Sequence, residues 1–182
     1  DIPCYIILSG LQVPRVIGKN GSIIKELRQE SGAIVNVMDR PPAVPEVFQR
    51  AELKVAFVKG SDAAMHAAVT GLIRNARGPE SVRQLDGDPQ NEVILFVPEK
   101  CEPHLDRTQL LEGTDCSLRV SEMEGVRRHR RVHITGSETR DLQVAAWRVH
   151  EIILRLARSG MLVDKDFDLQ DSAWEVAMQA FQ

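Results

Sequence analysis

Long apolar runs are missing from the 182-residue chain. No stretch approaches the roughly 20 residues needed to span a bilayer, and the start does not read as a signal sequence. The expectation is a soluble intracellular protein, cytoplasmic, nuclear or both, with no membrane partner. Cysteine is scarce as well. Cys4, Cys101 and Cys116 form an odd set without C-x-x-C spacing, which argues against a disulfide framework and against a structural zinc site. His104 follows Cys101 by three residues but has no partner pair, and no nucleophile, base and orienting group can be assembled. No enzymatic activity, metal or cofactor is therefore expected. The aromatic RNP motifs of an RRM sheet are also absent, which disfavours that form of nucleic-acid recognition.

A net excess of positive charge is lacking too, since the formal charge is −3. Its distribution is uneven. Asp1 to Arg77 carries ten Lys or Arg against seven Asp or Glu, a balance of +3, whereas Ser159 to Gln182 has one Lys against five acids, a balance of −4. The front of the chain is the electrostatically plausible end for a polyanion.

That end holds the most informative stretch, Val16-Ile17-Gly18-Lys19-Asn20-Gly21-Ser22-Ile23-Ile24. Its glycines adopt backbone angles that cost other residues about 1 kcal/mol or more, so the main chain can press against a ligand. Lys19 adds a positive charge, and Ser22 opens a helix whose first N–H groups favour an anion. Around this turn, Cys4 to Ser9 reads as a strand ended by Gly10, and Val13 to Ile17 as a short helix. Ile23, Ile24 and Leu27 recur at helical spacing up to a cap at Gly32. Ala33 to Met38 alternates as a strand, with Val35 and Val37 on one face and Ile34, Asn36 and Met38 on the other. Pro41, Pro42 and Pro45 make Asp39 to Gln49 an irregular loop. Leu53 to Val58 is another strand, and Ser61 or Asp62 caps a helix through Met65, Ala68, Val69, Leu72 and Ile73.

Strand, helix, glycine turn, helix, strand, strand, helix resembles a type I KH (K-homology) domain over Ile2 to about Arg77, most similar to the poly(C)-binding and Nova group. Ile17-Gly18-Lys19-Asn20-Gly21 together with Ser31-Gly32-Ala33 carries the resemblance. It implies that about four unpaired nucleotides lie in a narrow cleft. Phosphates would meet Gly18, Lys19, Asn20, Gly21 and Ser22, with Arg15 as a further contact. Val13, Pro14, Ile17, Ile24, Val35 and Val37 would form the apolar floor, and Arg28 would donate hydrogen bonds to bases. Lys54 stands where the poly(C)-binding group carries an arginine that helps read cytosine. The implied partner is single-stranded RNA, with single-stranded DNA as the variant.

Residues 78–91 read as a linker, after which the pattern restarts. Val93-Ile94-Leu95-Phe96-Val97-Pro98, Leu118-Arg119-Val120 and Val132-His133-Ile134-Thr135-Gly136 parallel segments of the first copy. At the turn's position stands Glu102-Pro103-His104-Leu105, with no glycine. This copy resembles a KH domain that has lost its phosphate grip. Arg127, Arg128, Arg130 and Arg131 form a secondary basic run in its variable loop and the start of its third strand, read as an extension of the RNA path, a solvated loop or a partner of the acidic tail.

The expected fold class is α+β. It comprises two βααββα units, each a three-stranded antiparallel sheet with three helices on one face: residues 1–77, a linker at 78–91, residues 92–158, and a helical extension at 159–182. In that extension Trp174, Ala177, Met178 and Phe181 make an apolar stripe for packing or for a protein partner. The function expected is post-transcriptional regulation of mRNA through RNA gripped by the first copy. The alternative is a protein-interaction platform.

Overall fold

The computed structural model describes residues 1–39, 44–79 and 91–169. The first half runs β1 (Cys4–Leu8), α1 (Gln12–Ile17), a single 3-10 turn (Lys19–Gly21), α2 (Ser22–Ser31), β2 (Ile34–Met38), α3 (Val47–Arg50), β3 (Lys54–Lys59) and α4 (Asp62–Arg77). Local chemistry sets these boundaries. Gly32 ends α2 at φ 74° with its amide on the Arg28 carbonyl, a left-handed stop that only glycine takes cheaply. Ser61 caps α4, its hydroxyl accepting from the Ala64 amide at 3.2 Å. Among the described residues of the expected irregular loop, α3 forms and Val44 and Phe48 are fully buried.

The second half repeats the order with reduced helices: β4 (Glu92–Pro98), a 3-10 stretch (Glu99–His104), α5 (Arg107–Leu110), β5 (Ser117–Met123), β6 (Val126–Thr135) and α6 (Thr139–Arg158), then a 3-10 turn (Asp164–Phe167). Three full helices were expected here, and only α6 is long. Pro103 removes an amide donor from the first short segment. Asp106 caps α5 through the Thr108 and Gln109 amides, and the chain turns away at Gly113 with φ 74°. The second half's counterpart of the proline loop is a tight turn at Glu124–Gly125, with Gly125 at φ 78°. The Trp174, Ala177, Met178 and Phe181 stripe and most of the expected linker lie outside the described residues.

The two expected three-stranded sheets are one six-stranded sheet in the order β2-β3-β1-β4-β6-β5. They join where β1 pairs antiparallel with β4, Ile6 opposite Leu95 and Ile7 opposite Ile94. Alternation then divides the core between two faces. Ile6, Leu8, Val35, Ala56, Val58, Leu95 and Val132 pack beneath the helices. On the other face Ile7, Val55 and Phe96 cluster with Val44 and Phe48 of the loop and with Leu169.

Helices α4 and α6 run antiparallel and are clamped at both ends by the last residue of each. Arg158 of α6 holds Asp62 at the start of α4 through contacts of 2.6 and 2.8 Å. Arg77 of α4 donates to Thr139 Oγ1 at 2.6 Å, to Asn91 Oδ1 at 2.9 Å and to the Ser137 carbonyl at 3.0 Å. Arg77 is only 1% exposed, whereas the side chain of Arg158 is 62% exposed. Urea unfolding is therefore expected to show Arg77→Leu losing about 3 kcal/mol, because buried partners are left unsatisfied. Arg158→Ala should lose less than about 1 kcal/mol.

His129 and His150 are wholly buried, and their ring nitrogens have no hydrogen-bond partner. His129 stacks on Phe96 at 4.9 Å and meets the edge of Tyr5 at 6.4 Å. Burial, reinforced by the Arg128 charge and opposed by Asp166, pushes His129 from 6.5 down to about 4. Burial does the same to His150, to about 4. The unfolded chain takes these protons near its ordinary value and the folded chain resists, so stability falls as pH drops from 6.5 toward about 4. Each histidine accounts for up to roughly 3 kcal/mol of that loss. A His129→Phe variant should hold its stability at pH 7 and lose less than wild type between pH 6.5 and 4.5 in thermal melts.

Candidate nucleic-acid interface

The glycine turn is built from three departures from ordinary backbone within four residues. Gly18 sits at φ 74°, Asn20 at φ 56° and Gly21 at φ 74°. The Gly18 amide donates to the Pro14 carbonyl at 2.8 Å and the Gly21 amide to the Gly18 carbonyl at 3.2 Å, which folds the chain back on itself. A Cβ on Gly18 would lie 2.7 Å from Ile23 Cγ1, so Ile23 dictates glycine there as firmly as φ does. Gly21 has nothing nearer than 3.9 Å to such a carbon. Lys19 and Asn20 are exposed at the tip. Ser22 is the first residue of α2, and the cap position belongs to Gly21 without a side-chain bond. The first α2 amides thus open beside the turn, where an anion is favoured.

Beside the turn, β2 and α2 are tied by one arginine. Arg28 Nε donates to the Val35 carbonyl at 2.8 Å, and its Nη2 donates to Asn36 Oδ1 at 3.2 Å. The expected floor residues divide by exposure. Val13 and Ile24 are buried and Val35 is fully so, Ile17 and Val37 are half-buried, and Pro14 is exposed. Arg15 reaches the Ala76 carbonyl at 3.4 Å. Lys54, on β3, pairs with Asp39 at 3.4 Å just beyond β2. Sequence reading passed over Ile23 and Asn36. Ile23 carries no polar signal, and alternation marks Asn36 only as facing away from the helices.

The second half keeps one of these features. Arg107 Nε donates to the Leu118 carbonyl at 2.8 Å, repeating the Arg28–Val35 bond at the aligned position. The turn itself is gone, since Glu99–His104 has exposed acids and a proline where Gly18–Gly21 stands in the first half. The basic run lies within β6, not in a loop, because the β5–β6 turn is so tight. Arg130 is surrounded by Glu99, Glu102 and Glu122 at 3.4, 3.4 and 3.5 Å. Arg128 meets Asp166 at 3.6 Å, and Arg131 donates to the Glu122 carbonyl at 2.7 Å. Arg127 is exposed beside a depression of about 380 Å³ that Glu99, Glu122 and Glu124 also line. Three of the four arginines thus spend their donors inside the fold, pairing that includes the acidic tail.

Asp166 is buried in that tail contact. Burial pushes its carboxyl up, but the Val163 amide, Lys100 and Arg128 together hold it below its usual value. Cys101 is fully buried, and burial with the Asp166 charge pushes its thiol up to about 12. Such a thiol is a poor nucleophile and metal ligand. Among the described residues no group of three or more His, Cys, Asp or Glu could hold a metal ion, and no helix is long and apolar enough to cross a membrane.

The KH domain family model matches residues 4–73, which span β1 through most of α4 and contain the glycine turn. The chain therefore contains one KH domain, a nucleic-acid-binding module, in its first half. No curated protein matches the chain.

Two substitutions separate the turn's two glycines. Gly18→Ala combines positive φ with the Ile23 clash and should cost about 2 kcal/mol or more in urea unfolding. Gly21→Ala carries the backbone penalty alone and should cost about 1 kcal/mol.

Proposed function

We propose that the protein binds single-stranded RNA as a post-transcriptional regulator of mRNA, with RNA gripped by the first half and the second half acting as scaffold. The observation that carries this reading is the turn at Gly18–Ser22. Its exposed lysine and asparagine, the following helix N-terminus and the adjacent β2 edge provide a phosphate-facing wall and a base-facing wall. Phosphates would approach Gly18, Lys19, Asn20, Gly21 and Ser22, with Arg15 alongside. Bases would rest on Pro14, Ile17 and Val37, which retain exposure, with Val13, Ile24 and Val35 supporting them from beneath. Arg28 would offer donors at the cleft's rim. Lys54 would point-charge a cytosine or a phosphate without the planar fork of arginine.

The second half is read as a degenerate KH copy. Its support is the repeated element order and the Arg107–Leu118 bond, and the acids around Arg130 favour a scaffold over a second RNA site. Glu99 and Glu102 would repel the phosphates that Lys19 attracts. A protein-interaction platform is the second reading, favoured by those same acids.

Anisotropy with a labelled single-stranded RNA tests the proposal. A Lys19→Asp, Asn20→Asp double change keeps both glycines and reverses the turn's charge. It should weaken binding by at least about tenfold and flatten the salt dependence. Unchanged binding would remove the site from the turn. Absence of binding in wild type as well would favour the platform.

A further inference from the structure

We propose that the sheet face opposite the helices carries a second nucleotide subsite, a stacking platform made by Phe57 and Tyr5, which receives bases that leave the first-half cleft over the β2 edge. This deepens the preceding reading and rests on RNA being gripped at the glycine turn.

Cleft and platform are physically continuous. Asn36 lies opposite Phe57 in the β2–β3 register, and Phe57 lies opposite Tyr5 in the β3–β1 register, so the three form one row across the sheet. The row begins at the cleft, because Arg28, which donates to the Val35 carbonyl, also donates to the Asn36 side chain at 3.2 Å. A strand leaving Arg28 needs only to cross β2, which has no strand on its outer side.

The row's chemistry suits bases. Phe57 and Tyr5 are both partly exposed, with ring centroids 5.7 Å apart and planes tilted by 49°. The Tyr5 hydroxyl is fixed by donating to the Phe167 carbonyl at 3.1 Å, which holds its ring in place. Every base has a flat π-face, so an aromatic side chain binds single strands with little sequence preference. Charge agrees with a polyanion. On this face β2 contributes Ile34, Asn36 and Met38 and β3 contributes Val55, Phe57 and Lys59, with no acid among them. Ile34 is 55% exposed at the outer edge and offers further apolar contact. Asp168, whose charge acts on Tyr5, lies at the platform's β1 end. An apolar peptide would fit the exposed rings, but nothing on these strands would recognise its charge, whereas Lys59 and Arg28 bracket a phosphate path.

The test compares labelled rA, rC and rU homopolymers of four and eight nucleotides on the full chain. Register statistics alone favour an eight-mer about fivefold over a four-mer. Stacking of one further base adds roughly tenfold, so the eight-mer of the best-bound base should bind roughly fiftyfold tighter. Phe57→Leu, which keeps apolar bulk without a ring, should return the ratio to about fivefold while four-mer affinity stays unchanged, and Phe57→Trp should keep the full ratio. A wild-type ratio near five, or a high ratio retained in Phe57→Leu, overturns the platform and leaves the grip standing. Failure of every four-mer and eight-mer to bind wild type overturns the grip and the platform together.

Discussion

Pairing of β1 with β4 decides where everything else in the molecule lies. In a three-stranded unit with β1 at one side, that strand presents open N–H and C=O groups, a liability that invites association with another chain. Here the partner is supplied within the same chain, and Ile6 and Ile7 face Leu95 and Ile94 at the middle of the six-stranded sheet. The pairing brings α4 and α6 side by side, where each helix's last arginine fastens the other's first turn. It also sends β2 and β5 to the outer edges, so the glycine turn's cleft and its counterpart sit at opposite ends of the sheet. Among the described residues no strand pairs with the outer side of β2, next to the turn.

The two halves share an order of elements and one arginine–carbonyl bond but differ where the glycine turn stands. An arginine on the second helix bonds a carbonyl of the following strand in both, Arg28 to Val35 and Arg107 to Leu118. That bond positions a strand against a helix and needs no ligand. The glycine turn needs more: positive φ at Gly18 and Gly21 and no side chain facing Ile23, with Lys19 exposed at the tip. The second half has Pro103 and two glutamates in that place, and it spends Arg130 on neutralising them. Within the fold it supplies β4, the partners of Arg77 and the Phe167 carbonyl that receives the Tyr5 hydroxyl.

Much of this was readable from residue order because it depends on local chemistry. Alternation at Ile34 to Met38, the Ser61 cap, the Gly32 stop and the turn itself are all short-range signals, and each stands at its expected place. Misread features depend on contacts distant in sequence. Period-two patterning tells which face a residue takes but not which strand lies beside it, so the β1–β4 junction was invisible. The prolines of the expected irregular loop gave no sign that Phe48 would fill the sheet's second face against Phe96. Arg77 carries no signal of burial in the residue order. Its burial follows only once Asn91, Ser137 and Thr139 close around it. The basic run at Arg127 to Arg131 left an RNA path, a solvated loop and a partner of the acidic tail open, and folding set Glu99, Glu102, Glu122 and Asp166 against it. The candidate cleft residues were identifiable through the family resemblance, while their division into supporting and exposed members required the packed structure.

The central claim is that nucleic acid meets this molecule on its first half only. Titration of the isotope-labelled full chain with a short single-stranded RNA, followed through backbone amide chemical shifts, addresses it directly. The account predicts that shifts concentrate at Gly18 to Ser22, Arg28 and Val35 to Val37, while Glu99 to His104 and Ser117 to Met123 stay in place. Shifts centred on the second half, with the glycine turn unmoved, would contradict it.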